Sequence, residues 1–308
     1  TNDLNNYGDV SLTADAKTLV TVRFEQRTNI WRLPQGKADE PQLLSNNVHA
    51  DYRFIAAAPD GRIIYPSKED SGNGRNIWMM NADGSRAKQL TADAGDNILP
   101  CVSGDGRYIV FASNRGDLKT YQIWRMNMDG SSPVQLTNGE TGARGPACSP
   151  DGKTVFYAAG GPDAGIEKSR LWKVSIDGGE PVPLTDYPAT WKDVSPDGAF
   201  IAIRFKPDKA SPVKLGIITP AGGQPVKVFD LKENTQVRWK PDGRSITYIK
   251  NEKEVSNIWE QPLSGEPPRP LTGFTAETIY FFDWSKDGSL ICTRGYQARD
   301  PVLISDFR

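Results

Sequence analysis

Apolar residues in this chain gather in short runs of about five, such as Tyr108-Ile109-Val110-Phe111-Ala112 and Thr154-Val155-Phe156-Tyr157-Ala158, each preceded by a tight polar turn. Runs of that length, rich in β-branched and aromatic residues and bounded by Gly, Pro and Asp, predict strands. The turns recur as Ala58-Pro59-Asp60-Gly61, Ser103-Gly104-Asp105-Gly106, Ser149-Pro150-Asp151-Gly152, Ser195-Pro196-Asp197-Gly198, Lys240-Pro241-Asp242-Gly243 and Ser285-Lys286-Asp287-Gly288. A degenerate copy stands at Thr13-Ala14-Asp15-Ala16. From Asp15 to Asp287 the successive turn aspartates are 45, 45, 46, 46, 45 and 45 residues apart. A constant period of this size is the signature of a repeat architecture.

Within each module the turn leads into an apolar strand, a variable polar loop, and a third strand marked Ile30-Trp31, Ile77-Trp78, Ile123-Trp124, Leu171-Trp172 or Ile258-Trp259. A second turn with Gly follows, then a short outer strand ending in Leu-Thr at Leu90-Thr91, Leu136-Thr137, Leu184-Thr185 and Leu271-Thr272. Four antiparallel strands with short connections make one propeller blade. Stacked and closed radially, such sheets bury both faces and leave only short edges. The pattern therefore predicts an all-β, seven-bladed β-propeller of four-stranded antiparallel blades, one domain over 1–308 with modules at approximately 8–52, 53–98, 99–144, 145–190, 191–235, 236–280 and 281–308. The third-strand tryptophans are expected to pack between blades. The fifth module, with Leu215-Gly216-Ile217-Ile218 in place of the Trp strand and Phe229-Asp230 in place of Leu-Thr, is expected to be the least regular. Thr1-Asn2-Asp3 aligns with the end of an outer strand, which predicts a strand upstream of it and a three-stranded seventh blade with an open edge at Val302–Ser305.

The formal net charge is −1, from 37 Lys+Arg against 38 Asp+Glu, so no net field draws the chain to nucleic acid or an anionic membrane. No apolar run approaches the length of a membrane span, and no nucleic-acid partner or membrane insertion is expected. Cys101, Cys148 and Cys292 fit no Cys-x-x-Cys spacing, and each falls in an apolar strand pattern. Cys101 and Cys148 are offset by one place relative to their turns, and alternation along a strand then predicts that they do not pair.

The Ser-Pro-Asp-Gly turn, the Ile-Trp strand and the terminal Leu-Thr resemble the PD40 (TolB-like) subclass of WD40-like propellers over nearly the whole chain. The opening Thr-Asn-Asp-Leu-Asn-Asn-Tyr and the closing Val302-Leu303-Ile304-Ser305-Asp306-Phe307-Arg308 also resemble the C-terminal propellers of bacterial receptor-type serine/threonine kinases and related membrane regulators. That resemblance implies an extracytoplasmic (periplasmic or cell-surface) sensor or scaffold module, joined upstream to a further domain. Enzymes of the same class differ from this chain. Propeller-bearing serine peptidases need an α/β-hydrolase domain with Gly-x-Ser-x-Gly, absent here. Oligogalacturonate lyase-like propellers use a histidine-rich metal site, whereas this chain has one histidine, His49.

No cofactor is expected. A catalytic triad would rest on His49 alone, in a loop. No transition-metal spacing exists, and Asp163 with Glu167 are the best-spaced carboxylates for a Ca²⁺, solvated charge being the alternative. The long variable loops Arg23–Thr28, Lys68–Arg75, Asn114–Tyr121, Gly160–Ser169, Lys206–Pro212 and Asn251–Val255 fall on one face of a propeller, the tight Asp-Gly turns on the other. Loops on a rigid scaffold carry binding residues. Aligned on the turn aspartate, Arg53, Arg144 and Tyr280 stand seven positions before it, Tyr7 and Tyr52 one place earlier and Trp191 one place later. Four positions before it, Asp193, Arg238 and Asp283 place acid, base and acid on three consecutive inner strands, predicting an ion-pair ladder that brings Arg238 to the channel. Tyr7, Tyr52, Arg53, Arg144, Trp191, Arg238 and Tyr280 are thus the candidate ligand-binding residues. They suit a non-catalytic binder of a protein, peptide or glycan at the channel mouth, with a channel-mouth lyase or hydrolase using carboxylate, Arg and Tyr residues as the alternative.

Overall fold

A computed structural model describes residues 6–15, 17–37, 40–45, 52–68, 74–92, 95–116, 119–160, 165–231 and 236–305. The chain begins with β1 (Asn6–Leu12), β2 (Thr18–Leu33) and β3 (Gln42–Leu43). The second module forms β4 (Ala56–Ala57), β5 (Ile63–Lys68), β6 (Arg75–Met80) and β7 (Lys88–Gln89). The third forms β8 (Asn97–Val102), β9 (Tyr108–Ser113), β10 (Gln122–Asn127) and β11 (Val134–Gln135). The fourth forms β12 (Ala143–Cys148), β13 (Thr154–Ala159), β14 (Arg170–Ser175) and β15 (Val182–Pro183), with a single 3₁₀ turn at Ile166–Lys168. The fifth forms β16 (Ala189–Val194), β17 (Ile201–Phe205), β18 (Lys214–Thr219) and β19 (Gly222–Phe229). The sixth forms β20 (Val237–Trp239), β21 (Ser245–Glu252), β22 (Val255–Pro262) and β23 (Arg269–Pro270), and β24 (Thr278–Trp284) and β25 (Leu290–Ser305) end the chain.

The repeat motifs each have a visible job. In the Ser-x-Asp-Gly turn the Ser149 hydroxyl donates to Asp151 Oδ1, which also accepts the Lys153 N–H at 3.0 Å, while Ser149 Oγ accepts the Thr154 N–H at 2.9 Å. Gly152 supplies the positive φ (70°) that closes it. Thr13 and Asp15 reproduce the same bonds in the degenerate copy. The Thr of each Leu-Thr pins the outer strand: Thr91, Thr137, Thr185 and Thr272 accept the N–H of Ile77, Ile123, Leu171 and Ile258 at 2.9–3.0 Å. Ser45 does this for Ile30.

The molecule is an all-β propeller of four-stranded antiparallel blades, and the seventh module is incomplete by itself, as the repeat predicts. The blade count differs in one respect. Modules two to six each own a four-stranded sheet, whereas the first and seventh share one, in the order β1-β2-β25-β24 with β3 on β2. The described residues therefore form six sheets from seven modules. Six apolar clusters lie between them, one at each junction, and two of these join the shared sheet to the second and sixth blades. The ring closes where Asp283 of β24 accepts the Ala57 N–H of β4 at 2.9 Å.

The shared sheet corrects two expectations. Arg23–Thr28 is no loop, because β2 runs straight through it, and β25 likewise runs straight from Leu290 to Ser305. The two pair over their whole length, from Thr18↔Ser305 to Leu33↔Leu290. Val302–Ser305 is therefore not without a partner; on one side it pairs with Thr18–Thr21. The fifth blade is four-stranded like its neighbours but departs from them as expected, with an eight-residue outer strand and register shifts in two of its pairings. The Phe205 ring fills the space over Gly216, where a Cβ would come 2.8 Å from it.

Cys101 and Cys148 form a disulfide across Cα atoms 6.2 Å apart, which overturns the expectation that they do not pair. The one-place offset does turn the two side chains toward opposite faces of equivalent strands. Neighbouring blades, however, present opposite faces to each other, so the offset is what brings the sulfurs together. Cys292 is buried and free.

Candidate functional site

The inner strands β4, β8, β12, β16, β20 and β24 ring the axis. Their first residues lie beside the loops joining second and third strands, as where the Ala143 N–H bonds to the Tyr121 carbonyl at 2.7 Å, so this end of the channel opens on the long-loop face. Four inner strands carry a register shift just inside this mouth, between Ile98 and Cys101, Arg144 and Ala147, Thr190 and Lys192, and Ile279 and Phe281. Leu99, Gly145 and Trp191 take positive φ there (53°, 57° and 36°). Such bulges bend a strand and re-aim its side chains. A positive φ on Leu or Trp is strained backbone, held in place by the packing around it.

What the bulges assemble is an aromatic floor with basic walls. Phe54 and Phe281 meet edge-to-face at 5.4 Å, and Trp191 leans on Phe281 at 6.3 Å. The Arg238 guanidinium lies 5.3 Å from the Phe281 ring centre, and Arg144 stacks 4.1 Å from that of Tyr121. A cavity of about 320 Å³ opens among Leu99, Arg144, Trp191, Lys192, Arg238 and Phe281. A second cavity of similar size lies near the Asp-Gly turns, between the sixth blade and the shared sheet, lined by Pro34, Lys240 and Trp284.

Below the floor runs the predicted ladder. Arg238 reaches Asp193 at 3.8 Å and Asp283 at 3.3 Å. Both carboxylates also hook the next inner strand, Asp193 accepting the Trp239 N–H at 2.7 Å. Burial pushes the Asp193 carboxyl up to about 6 despite Arg238 and that N–H. Lys192 is buried at 6 % exposure, and its ammonium donates to the Arg144 carbonyl at 3.2 Å. Burial, helped by the Arg238 charge, lowers it to about 7.

Of the candidate ligand-binding residues, Arg144, Trp191 and Arg238 line the cavity. Tyr280 is half-buried at the β24 bulge and Arg53 is exposed. Tyr52 is buried, stacked edge-on to Tyr65 at 5.4 Å in the core between the shared sheet and the second blade. The Tyr7 backbone pairs with Arg23 in β1, away from the inner ring. His49 and Asp163 lie outside the described residues. Glu167 accepts a hydrogen bond from Lys206, and no cluster of metal-ligating side chains occurs among the described residues. Phe54, Leu99, Lys192 and Phe281 were not expected at the site. Three of them stand six positions before the turn aspartate, a column that the sequence shows as Phe54, Leu99, Gly145, Trp191, Gln236 and Phe281.

No curated protein sequence matches this chain. Among solved structures, a protein assigned as a TolB from Agrobacterium tumefaciens superposes with a TM-score of 0.69 at 16% identity, over 88% of this chain and 99% of that one. TolB from Acinetobacter baumannii matches with a TM-score of 0.59 and 18% identity over 96% of this chain, which spans 65% of that protein. An oligogalacturonate lyase from Vibrio parahaemolyticus matches with a TM-score of 0.54 and 14% identity, over 92% of this chain and 76% of that one. At these identities the likeness is one of fold. The sequence itself matches the TolB β-propeller domain, PD40, over residues 12–202, and the chain belongs to that family.

Proposed function

We propose that this chain is a non-catalytic binding or sensor propeller that engages a protein, peptide or glycan through its long-loop face and channel mouth. One observation carries the reading: Trp191, Phe281, Arg144 and Arg238, from four different blades, converge on one cavity at that mouth. Aromatic and arginine side chains around a concave site are the usual anchors of recognition. We place it outside the cytoplasm, consistent with the Cys101–Cys148 disulfide, since such bonds persist in oxidising compartments. No helix among the described residues is long and apolar enough to cross a membrane.

The test blocks one face at a time. Arg53→Cys and Asp129→Cys variants, both at exposed positions on opposite faces, are capped with a bulky maleimide and applied to peptide and glycan arrays. Capture abolished by the adduct at 53 and retained with the adduct at 129 supports the proposal. The opposite ranking, or arrays that capture nothing, overturns it. A channel-mouth lyase or hydrolase is the competing reading, favoured by the near-neutral Lys192 amine beside the cavity, a state suited to proton abstraction. Turnover of polygalacturonate that disappears in Lys192→Met would establish it.

A further inference from the structure

Lys192 is a buried cation that lines the mouth cavity. Three basic side chains, Arg144, Lys192 and Arg238, line the cavity, and among the described residues no carboxylate does. Arg238 is already matched by Asp193 and Asp283. The Lys192 ammonium has three donors, and the Arg144 carbonyl is the acceptor it finds among the described residues. A buried cation without a counter-charge is costly, and the cost is relieved by an anion arriving beside it.

We propose that this cavity is a carboxylate-recognition pocket, with Lys192 as the charge partner of one carboxylate and Phe54, Trp191 and Phe281 as the seat of the apolar body that bears it. The proposal rests on the binding-propeller reading and narrows its ligand. A volume of about 320 Å³ is at the small end of ligand sites and suits one aromatic residue rather than an oligosaccharide. A free aryl acid and the C-terminal residue of a peptide share that chemistry. The charged groups around the amine are Arg144 from β12, Arg238 from β20, its own neighbour Asp193, and Asp283 from β24 beyond Arg238. An incoming carboxylate holds the amine protonated, so binding above neutral pH takes up a proton.

Calorimetry on the whole chain at pH 8.5, in two buffers of different ionisation enthalpy, tests this. The probes are N-acetyl-phenylalanine, its amide, the tripeptide Ala-Ala-Phe with a free C-terminus, and sulfate. The expected result is a carboxylate preference over the amide of about tenfold or more, with buffer-dependent heat showing proton uptake, and loss of both in Lys192→Met. Sulfate, with no apolar body, is expected to bind more weakly. Tighter binding of the tripeptide than of the acetylated amino acid assigns the site to peptide ends, the reverse to free acids. Equal binding of acid and amide, binding of neither, sulfate binding as tightly as the acids, or a preference that survives Lys192→Met overturns the proposal. If it falls while array capture still depends on the face carrying residue 53, the binding-propeller reading stands without it.

Discussion

The connection between second and third strands behaves in opposite ways in two parts of the ring. In the third module Asn114–Tyr121 contains Gly116 at φ 72°, and the chain reverses into a hairpin. In the first module Arg23-Phe24-Glu25-Gln26-Arg27-Thr28 contains no Gly, Pro, Asn or Asp, and the chain runs straight on. Both segments link the same pair of repeat strands. The hairpin is therefore a property of its turn residues and not of the strand pattern on either side. Where the turn chemistry is missing, the strand continues, and its unmet backbone groups are satisfied by β25 from the other end of the chain. Gly295 opposite Thr28 is what lets the two approach.

The strongest way to break this contrast is Gly295→Val. A Cβ at 295 would stand 1.8 Å from the Arg27 carbonyl oxygen, whereas one at Gly139, in the third module, meets nothing within 4 Å. Urea unfolding is expected to show a loss of about 4 kcal/mol or more at 295 and near none for Gly139→Ala. Comparable losses at the two would erase the distinction between the seam and the regular blades. Arg238→Met comes next, because it leaves Asp193 and Asp283 facing each other where the sixth blade meets the seam. A loss of about 3–4 kcal/mol at pH 8 is expected. The loss should shrink on acidification toward pH 6 and level off below it, since Asp193, held at about 6 with Arg238 beside it, takes up its proton at higher pH once that charge is gone. Within the regular blades, reducing the Cys101–Cys148 disulfide is expected to cost about 3 kcal/mol, measured as a lowered unfolding midpoint with a mass gain of two hydrogens.

Lys192→Met gives the smallest effect at alkaline pH, and its sign is opposite. Burial lowers the lysine to about 7 from its ordinary value of 10.5. Below pH 7 both folded and unfolded chains carry the charge, so its burial penalty is fully present. Between those two values the unfolded chain binds the extra proton, and wild-type stability rises by about 1.4 kcal/mol per pH unit. The variant should therefore be the more stable, by about 2 kcal/mol at pH 9, with the advantage growing toward pH 7 and vanishing near 10.5. A difference that is flat with pH would mean that Lys192 does not titrate in this range.

The repeat was legible because each of its motifs is a local device. Ser149, Asp151 and Gly152 close their turn with no help from elsewhere, and Thr137 reaches only across to the adjoining strand, accepting from Ile123 and donating to Gln122. The ladder was legible for a related reason, since Asp193, Arg238 and Asp283 stand at one height on consecutive strands. Relations between sheets were harder. The parity of Cys101 and Cys148 was read correctly along each strand, but it pairs them only once two opposite faces are stacked. Lys192 is hidden in the sequence because it stands five positions before its turn aspartate, in a column of Ile55, Pro100, Pro146, Val237 and Phe282 where a core side chain is expected. The column of Tyr52 points to the mouth, and only the neighbouring sheet, which the repeat does not show, places it in a core.

The pairing of Thr18–Leu33 with Leu290–Ser305 also sets an order of events. Each of the five regular sheets is complete within one module, so its strands meet soon after they are made. The seam joins the two ends of the chain, and the entropy of closing so long a loop must be met before any of its bonds form. Contacts of such separation slow folding. The ring is therefore expected to assemble first as an open arc of five blades and to close in one late step. Until then the exposed flanks of the second and sixth blades are complementary to the seam strands of any other copy, so two chains closing on each other would form an exchanged dimer.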